Sequence, residues 1–151
     1  LKALDIFWAQ ALSAHPELEG DYQVRSLGID AETTDQIFGY IKSRDKVATF
    51  SLPWVIDANE FPYPEVGMPV VLCDYDGNPR LIVRLNNIRE TTFGEISFAE
   101  TSLDGPPVQD PNIWIPLHRT YWNGLLASYG RECTDDMPVL IEPFEYVTEI
   151  I

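Results

Sequence analysis

Two short runs in this chain hold residue types that can act together chemically. In Lys46-Val47-Ala48-Thr49 a lysine stands three positions before a threonine. A threonine hydroxyl becomes a useful nucleophile when a neighbouring base takes its proton, and a lysine can be that base where a desolvated or cationic setting lowers its pKa. Lys42 and Arg44 are close enough in sequence to act in that sense. The plainer alternative is a surface lysine beside a strand threonine. The second run is Asp104-Gly105-Pro106-Pro107. Its carboxylate can orient the lysine or donate a proton to a leaving group, although Asp-Gly is also an ordinary turn signal. Farther along, Trp114, His118, Tyr121, Trp122 and Leu125 recur at i, i+4, i+7, i+8 and i+11, so one helix face would carry them. Such a stripe is either a core face with one satisfied histidine or a ligand face. In the second case Trp114 stacks on a base and His118 bonds to it.

These side chains need particular elements to hold them. Residues i and i+3 of a straight strand point to opposite faces, so Lys46 must precede the strand if it is to work with Thr49. Asp30 is a good N-cap for a helix whose Ile37, Phe38 and Ile41 form an apolar stripe, with Lys42 and Arg44 at its cation-favouring end. Val47 to Leu52 then reads as a strand stopped by Pro53. Upstream, Leu4 to Ala14 has helical spacing ended by Pro16, and a polar stretch runs on to Gly28. Val70 to Tyr75 and Leu81 to Leu85 read as a hairpin joined by Asp76-Gly77-Asn78-Pro79. Asp110-Pro111 opens a helix to about Ser128, with Gly130 as its stop. Val139 to Val147 closes the chain as a strand, with Glu142, Glu145 and Glu149 expected on its solvated face. The reading is α+β, with short antiparallel strands and helices gathered at one end.

Composition narrows the function. Hydrophobic residues make up 45% of the 151, which supplies one buried core in a single domain. The net charge is −14, from 24 acidic and 10 basic residues. Because nucleic-acid affinity comes mainly from cations that neutralise phosphates, extended RNA or DNA is a poor partner, whereas a small ligand in a cleft is not penalised. Apolar runs such as Met68 to Cys73 are too short to cross a bilayer, and no basic-then-apolar leader opens the sequence. With two cysteines, Cys73 expected in the core and Cys133 near the surface, a reducing, cytoplasmic setting is expected. His15, His118 and the cysteines lack metal-ligand spacing, so neither a metal nor another cofactor is expected.

At Lys46 the chain resembles a known family. Lys46-Val47-Ala48-Thr49-Phe50-Ser51-Leu52, followed by Trp54, resembles the ASCH signature GxKxxTxSL. Pro64-Glu65-Val66-Gly67 resembles the family's P-x-V-G-D, with Met68 in place of Asp. Phe93, Ile96, Asp104, Gly105, Trp114, His118 and Tyr121-Trp122 keep the family's spacing, and Asp136-Met137-Pro138-Val139 with Phe144 resembles its closing segment. Two positions depart: the family glycine is Arg44, and the family glutamate is Asp104. The resemblance implies a PUA-like mixed or antiparallel β-barrel with helices packed around it. Residues 30–151 would form that domain, and residues 1–29 a helical extension packed with it as one unit.

The resemblance also implies a function. One bacterial branch hydrolyses the acyl amide of acetylated cytidine with a Thr nucleophile, a Lys and a Glu, which fall here on Thr49, Lys46 and Asp104. Arg44, Ser51, Trp54, Trp114, His118 and Tyr121 are the corresponding ligand-binding candidates. Another branch is a metal-assisted ribonuclease, and the family is associated with RNA. Three readings follow: an amide hydrolase acting on an acylated nucleoside, an RNA-binding module or ribonuclease, and a ligand-sensing domain without chemistry. Charge separates the first from the second, and the integrity of the Thr49, Lys46 and Asp104 set separates the first from the third.

Overall fold

A computed structural model describes residues 2–149. Its elements run α1 (Ala3–Ala14), β1 (Gln23–Ser26), α2 (Ala31–Ser43), β2 (Ala48–Ser51), α3 (Pro53–Ala58), β3 (Pro69–Cys73), β4 (Pro79–Leu85), β5 (Arg89–Thr92), α4 (Phe98–Thr101), α5 (Pro111–Leu126) and β6 (Pro138–Glu149). The six strands form one mixed sheet in the order β1-β3-β4-β6-β2, with β5 also paired to β6. It curls into a half-barrel with the helices around it. β1 runs parallel to β3, and the other pairs are antiparallel. The long strand β6 joins the whole: its first half bonds β5 and β2, and its second half bonds β4.

Local sequence explains most elements. Asp30 caps α2 by accepting the Thr33 N–H at 2.7 Å, and Asp110 caps α5 through Asn112 at 2.9 Å. Gly28 (φ +87°) makes the turn into α2, where a Cβ would meet the Thr34 hydroxyl oxygen at 2.5 Å. Covered on both faces, β3 reads as a continuous apolar run rather than an alternating one. Val70 and Leu72 meet Phe38 and Ile41 of α2, whereas Val71 and Cys73 meet Phe7 and Ala11 of α1.

Three features differ from the sequence expectation. The polar stretch before Gly28 contains β1, a sheet strand paired with β3. Cys133 is buried beside Trp122 and Met137 rather than near the surface. Glu142, expected on a solvated face, is fully buried. Among the described residues, no helix is long and apolar enough to cross a membrane.

Candidate functional site

The backbone brings Lys46 to Asp104. At the end of α2, Arg44 takes a left-handed conformation (φ 68°, ψ 22°), the geometry for which glycine is the easiest residue. The N–H groups of Asp45 and Lys46 then both donate to the Tyr40 carbonyl, at 2.9 and 3.0 Å, so Lys46 lies in the loop before β2, as the spacing requires. The Val47 N–H donates to the Leu103 carbonyl at 2.9 Å, tying this loop to the segment that carries Asp104. Across 58 positions, Lys46 Nζ donates to Asp104 Oδ1 at 2.7 Å. The same oxygen accepts the Gly105 N–H at 2.7 Å, and Oδ2 accepts the Trp114 indole N–H at 2.9 Å. Burial would raise the Asp104 carboxyl, but the Lys46 charge and these hydrogen bonds hold it below the ordinary value of 3.8. A Cβ at Gly105 would stand 3.0 Å from the Tyr40 ring, so a larger residue there requires that ring to shift by a few tenths of an ångström.

The helix stripe divides by depth. Trp114 is fully buried, and the His118 ring stacks on it at 3.7 Å with planes 16° apart. His118 Nδ1 is 2.9 Å from the Trp114 carbonyl oxygen, which can only accept. Nδ1 therefore carries the hydrogen and Nε2 is bare. Nε2 lies 4.0 Å from Asp104 Oδ2. Burial pushes the His118 pKa below its ordinary 6.5, against the opposing effects of the Trp114 hydrogen bond and the Asp104 charge. The ring is thus neutral at pH 7, and the Asp104 contact is not an ion pair there. Tyr121, one step around the helix, is 49% exposed at the cavity mouth.

Thr49 belongs to a second cluster. It stands directly opposite Glu142 in the β2–β6 ladder. Glu142 Oε1 accepts Arg25 at 2.7 Å and Oε2 accepts the Ser51 hydroxyl at 2.7 Å. Gln23 fixes Arg25 from the other side, at 2.6 Å, and the Nη1 group of Arg25 is 3.4 Å from Thr49 Oγ1. No hydrogen bond joins Thr49 to Lys46 among the described residues. Sequence reasoning missed both Arg25 and Glu142. The available signal was Glu142 itself, a carboxylate directly after Val139-Leu140-Ile141, where burial demands a cationic partner.

Both clusters open on one cavity of about 930 Å³, within the size range of small-molecule sites. Its wall includes Arg25, Lys46, Thr49, Ser51, Asp104, His118 and Tyr121, but not Arg44, Trp54 or Trp114. The Arg44 guanidinium lies over the Tyr146 ring at 5.4 Å, and Lys42 pairs with Glu149 at 2.8 Å. The two cations expected to act on Lys46 are engaged elsewhere. Trp54 packs at the edge of the α5 core under Arg131, 4.2 Å from its ring centre. Trp114 supports the site from behind, through Asp104 and His118. Among the described residues, no group of three or more His, Cys, Asp and Glu side chains is placed to hold a metal ion.

The fold is thus a mixed half-barrel in which Lys46, just ahead of β2, is paired with Asp104, just after α4. The sequence matches the ASCH domain over residues 24–148, and the chain belongs to that family. The fold is that of solved relatives. The ASCH domain from Lactobacillus crispatus JV V101 superposes with a TM-score of 0.85 at 20% identity, over 95% of this chain and 93% of that one. A protein from Enterococcus faecalis V583 gives 0.85 at 22% identity, over 97% and 89%. A mutant ASCH protein from Zymomonas mobilis is more distant, at 0.51 and 11% identity, over 84% and 71%. The α+β, PUA-like barrel expected from the sequence is therefore the fold of this chain. Comparison with curated proteins finds no match.

Proposed function

We propose that the cavity binds a neutral, nucleoside-type ligand and hydrolyses an acyl amide on it, with acylated cytidine as the substrate. The observation that supports this reading is that a threonine hydroxyl, a buried Lys–Asp pair and a neutral histidine all line one cavity. Both wall cations already hold a carboxylate at 2.7 Å, Lys46 on Asp104 and Arg25 on Glu142. A phosphate would find no unmatched charge, which favours a nucleoside over a nucleotide or an RNA strand.

In the proposed reaction the Thr49 oxygen adds to the acyl carbonyl carbon and its proton passes to the bare Nε2 of His118. The carbonyl electrons move onto oxygen. When the adduct collapses, the C–N bond breaks and the base nitrogen takes the proton from His118. Water repeats the sequence on the Thr49 ester, releasing the free acid and restoring the hydroxyl. The Asp104 carboxylate stabilises the transient imidazolium beside it and fixes the Lys46 ammonium toward the ligand.

The test is release of free acid from acylated cytidine by the purified protein without added metal. Thr49→Val deletes only the nucleophilic oxygen and should abolish release while the fold survives. A wild type that binds cytidine but releases no acid would replace hydrolysis with ligand sensing.

A further inference from the structure

We infer that Arg25 is a catalytic residue of this cavity, its Nη1 group donating to the oxyanion that forms when Thr49 adds to a carbonyl. The inference rests on the hydrolase reading for its substrate but on separate atoms for its geometry. Four observations carry it.

First, the guanidinium is aimed rather than free. Its Nε and Nη2 groups donate to Gln23 Oε1 at 3.3 and 2.6 Å, and Nη2 also donates to Glu142 Oε1 at 2.7 Å. Glu142 is fully buried, and its other oxygen is held by Ser51, so the carboxylate cannot follow Arg25 outward. Second, those bonds account for the Nε and Nη2 hydrogens and leave Nη1, with its two N–H groups, turned toward Thr49 Oγ1 at 3.4 Å. Third, that separation is long for a hydrogen bond to the hydroxyl. It suits the reacting state better. A donor this far from the attacking oxygen can come within about 2.7–3.1 Å of the second oxygen carried by the same carbon, where oxyanion donors act. Fourth, Arg25 is 21% exposed and lines the cavity, so a substrate carbonyl can reach it.

The step balances as follows. The Oγ–C bond forms, the C=O π pair becomes the oxyanion, and the hydroxyl proton goes to His118. Arg25 gives no proton; it donates a charged hydrogen bond. Glu142 is the positioning residue, since it touches Arg25 and Ser51 rather than the reacting atoms.

Arg25→Lys tests the assignment, because it keeps a cation beside Glu142 but removes the fork that reaches Thr49. Arg25→Gln with Glu142→Gln serves if that variant fails to fold, since it removes both charges together. On acylated cytidine we expect kcat to fall at least tenfold, toward the roughly hundredfold to thousandfold typical of a lost oxyanion donor, with KM changed by less than about threefold.

A second measurement is independent of that substrate. Phenylboronic acid can accept the Thr49 oxygen to form a tetrahedral borate resembling the oxyanion. Boron NMR should show this adduct in the wild type, none in Thr49→Val, and at least tenfold weaker formation in Arg25→Lys. An adduct that depends on Arg25 without hydrolysis of acylated cytidine would overturn the substrate and keep the assignment. Hydrolysis with unchanged kcat in the Arg25 variants would do the reverse. Absence of both adduct and hydrolysis would overturn the assignment as well.

Discussion

The Lys46 ammonium and the Asp104 carboxylate meet at 2.7 Å with only 9% and 10% of their side chains exposed. At that depth each charge depends on the other. Removing one leaves its partner desolvated and unmatched, which costs about 3–5 kcal/mol in a buried pair. Lys46→Met and Asp104→Asn should therefore each lower the unfolding free energy by about that amount in urea titrations. The double variant should fall short of the sum by at least about 0.5 kcal/mol. Additive losses would show that the pair is not coupled.

Arg44 offers a stabilising change. Its left-handed backbone (φ 68°) carries a penalty that glycine avoids, and its exposed stacking on Tyr146 at 5.4 Å is weak compensation. Arg44→Gly should raise stability by up to about 1 kcal/mol, or roughly 2–4 °C in melting temperature. A drop would mean that the Tyr146 contact outweighs the strain.

Two groups on the cavity wall contribute to the pH dependence. His118 lies below its ordinary 6.5 and Asp104 below its ordinary 3.8. In both cases the unfolded chain takes up a proton at a higher pH than the fold does. Their stabilisation is full above those unfolded values and is lost as pH falls toward the folded ones. His118 is faced by Asp104 and Lys46, and the rest of its packing is aromatic, from Trp114, Trp122 and Phe50. Urea midpoints should hold steady from about pH 8 to pH 7, decline below about 6.5, and decline again below about 4.5, where Glu100, likewise lowered, adds to Asp104. His118→Gln should flatten the first decline and leave the second.

Generic RNA should not bind. The net charge is −14, and the two cations on the cavity wall are already matched by carboxylates. Anisotropy with single- or double-stranded RNA at physiological salt should show no saturable signal. Tight binding that weakens steeply with salt would overturn the charge argument.

Much of this architecture was legible in the residues. Asp30 and Asp110 announced their helices, the Asp76-Gly77 turn announced the β3–β4 hairpin, and the period-2 rule placed Lys46 ahead of the strand. Half of the cavity was not legible, for physical reasons. β1 has only four residues, too few for a period to emerge, and its pairing with β3 spans a long stretch of chain. Glu142 looked like one of three evenly polar positions on β6. Yet that strand is bonded on both sides at Ile141 and Leu140, and its neighbour Glu142 lies beneath Arg25 and Ser51 rather than in solvent. The α5 stripe was right in register but blurred in depth, because Tyr121 and Leu125 turn outward while Trp114 and Trp122 turn in.

The dual pairing of β6 has a consequence for how the molecule is made. A chain leaves the ribosome N-terminus first, so β2, β4 and β5 all emerge before the strand that joins them. Until it arrives they present open backbone edges, the kind of surface on which nascent chains stick to one another. The cavity waits as well. Arg25 is synthesised 117 residues ahead of Glu142, the carboxylate that aims it, so this wall of the cavity can acquire its shape only after β6 has emerged.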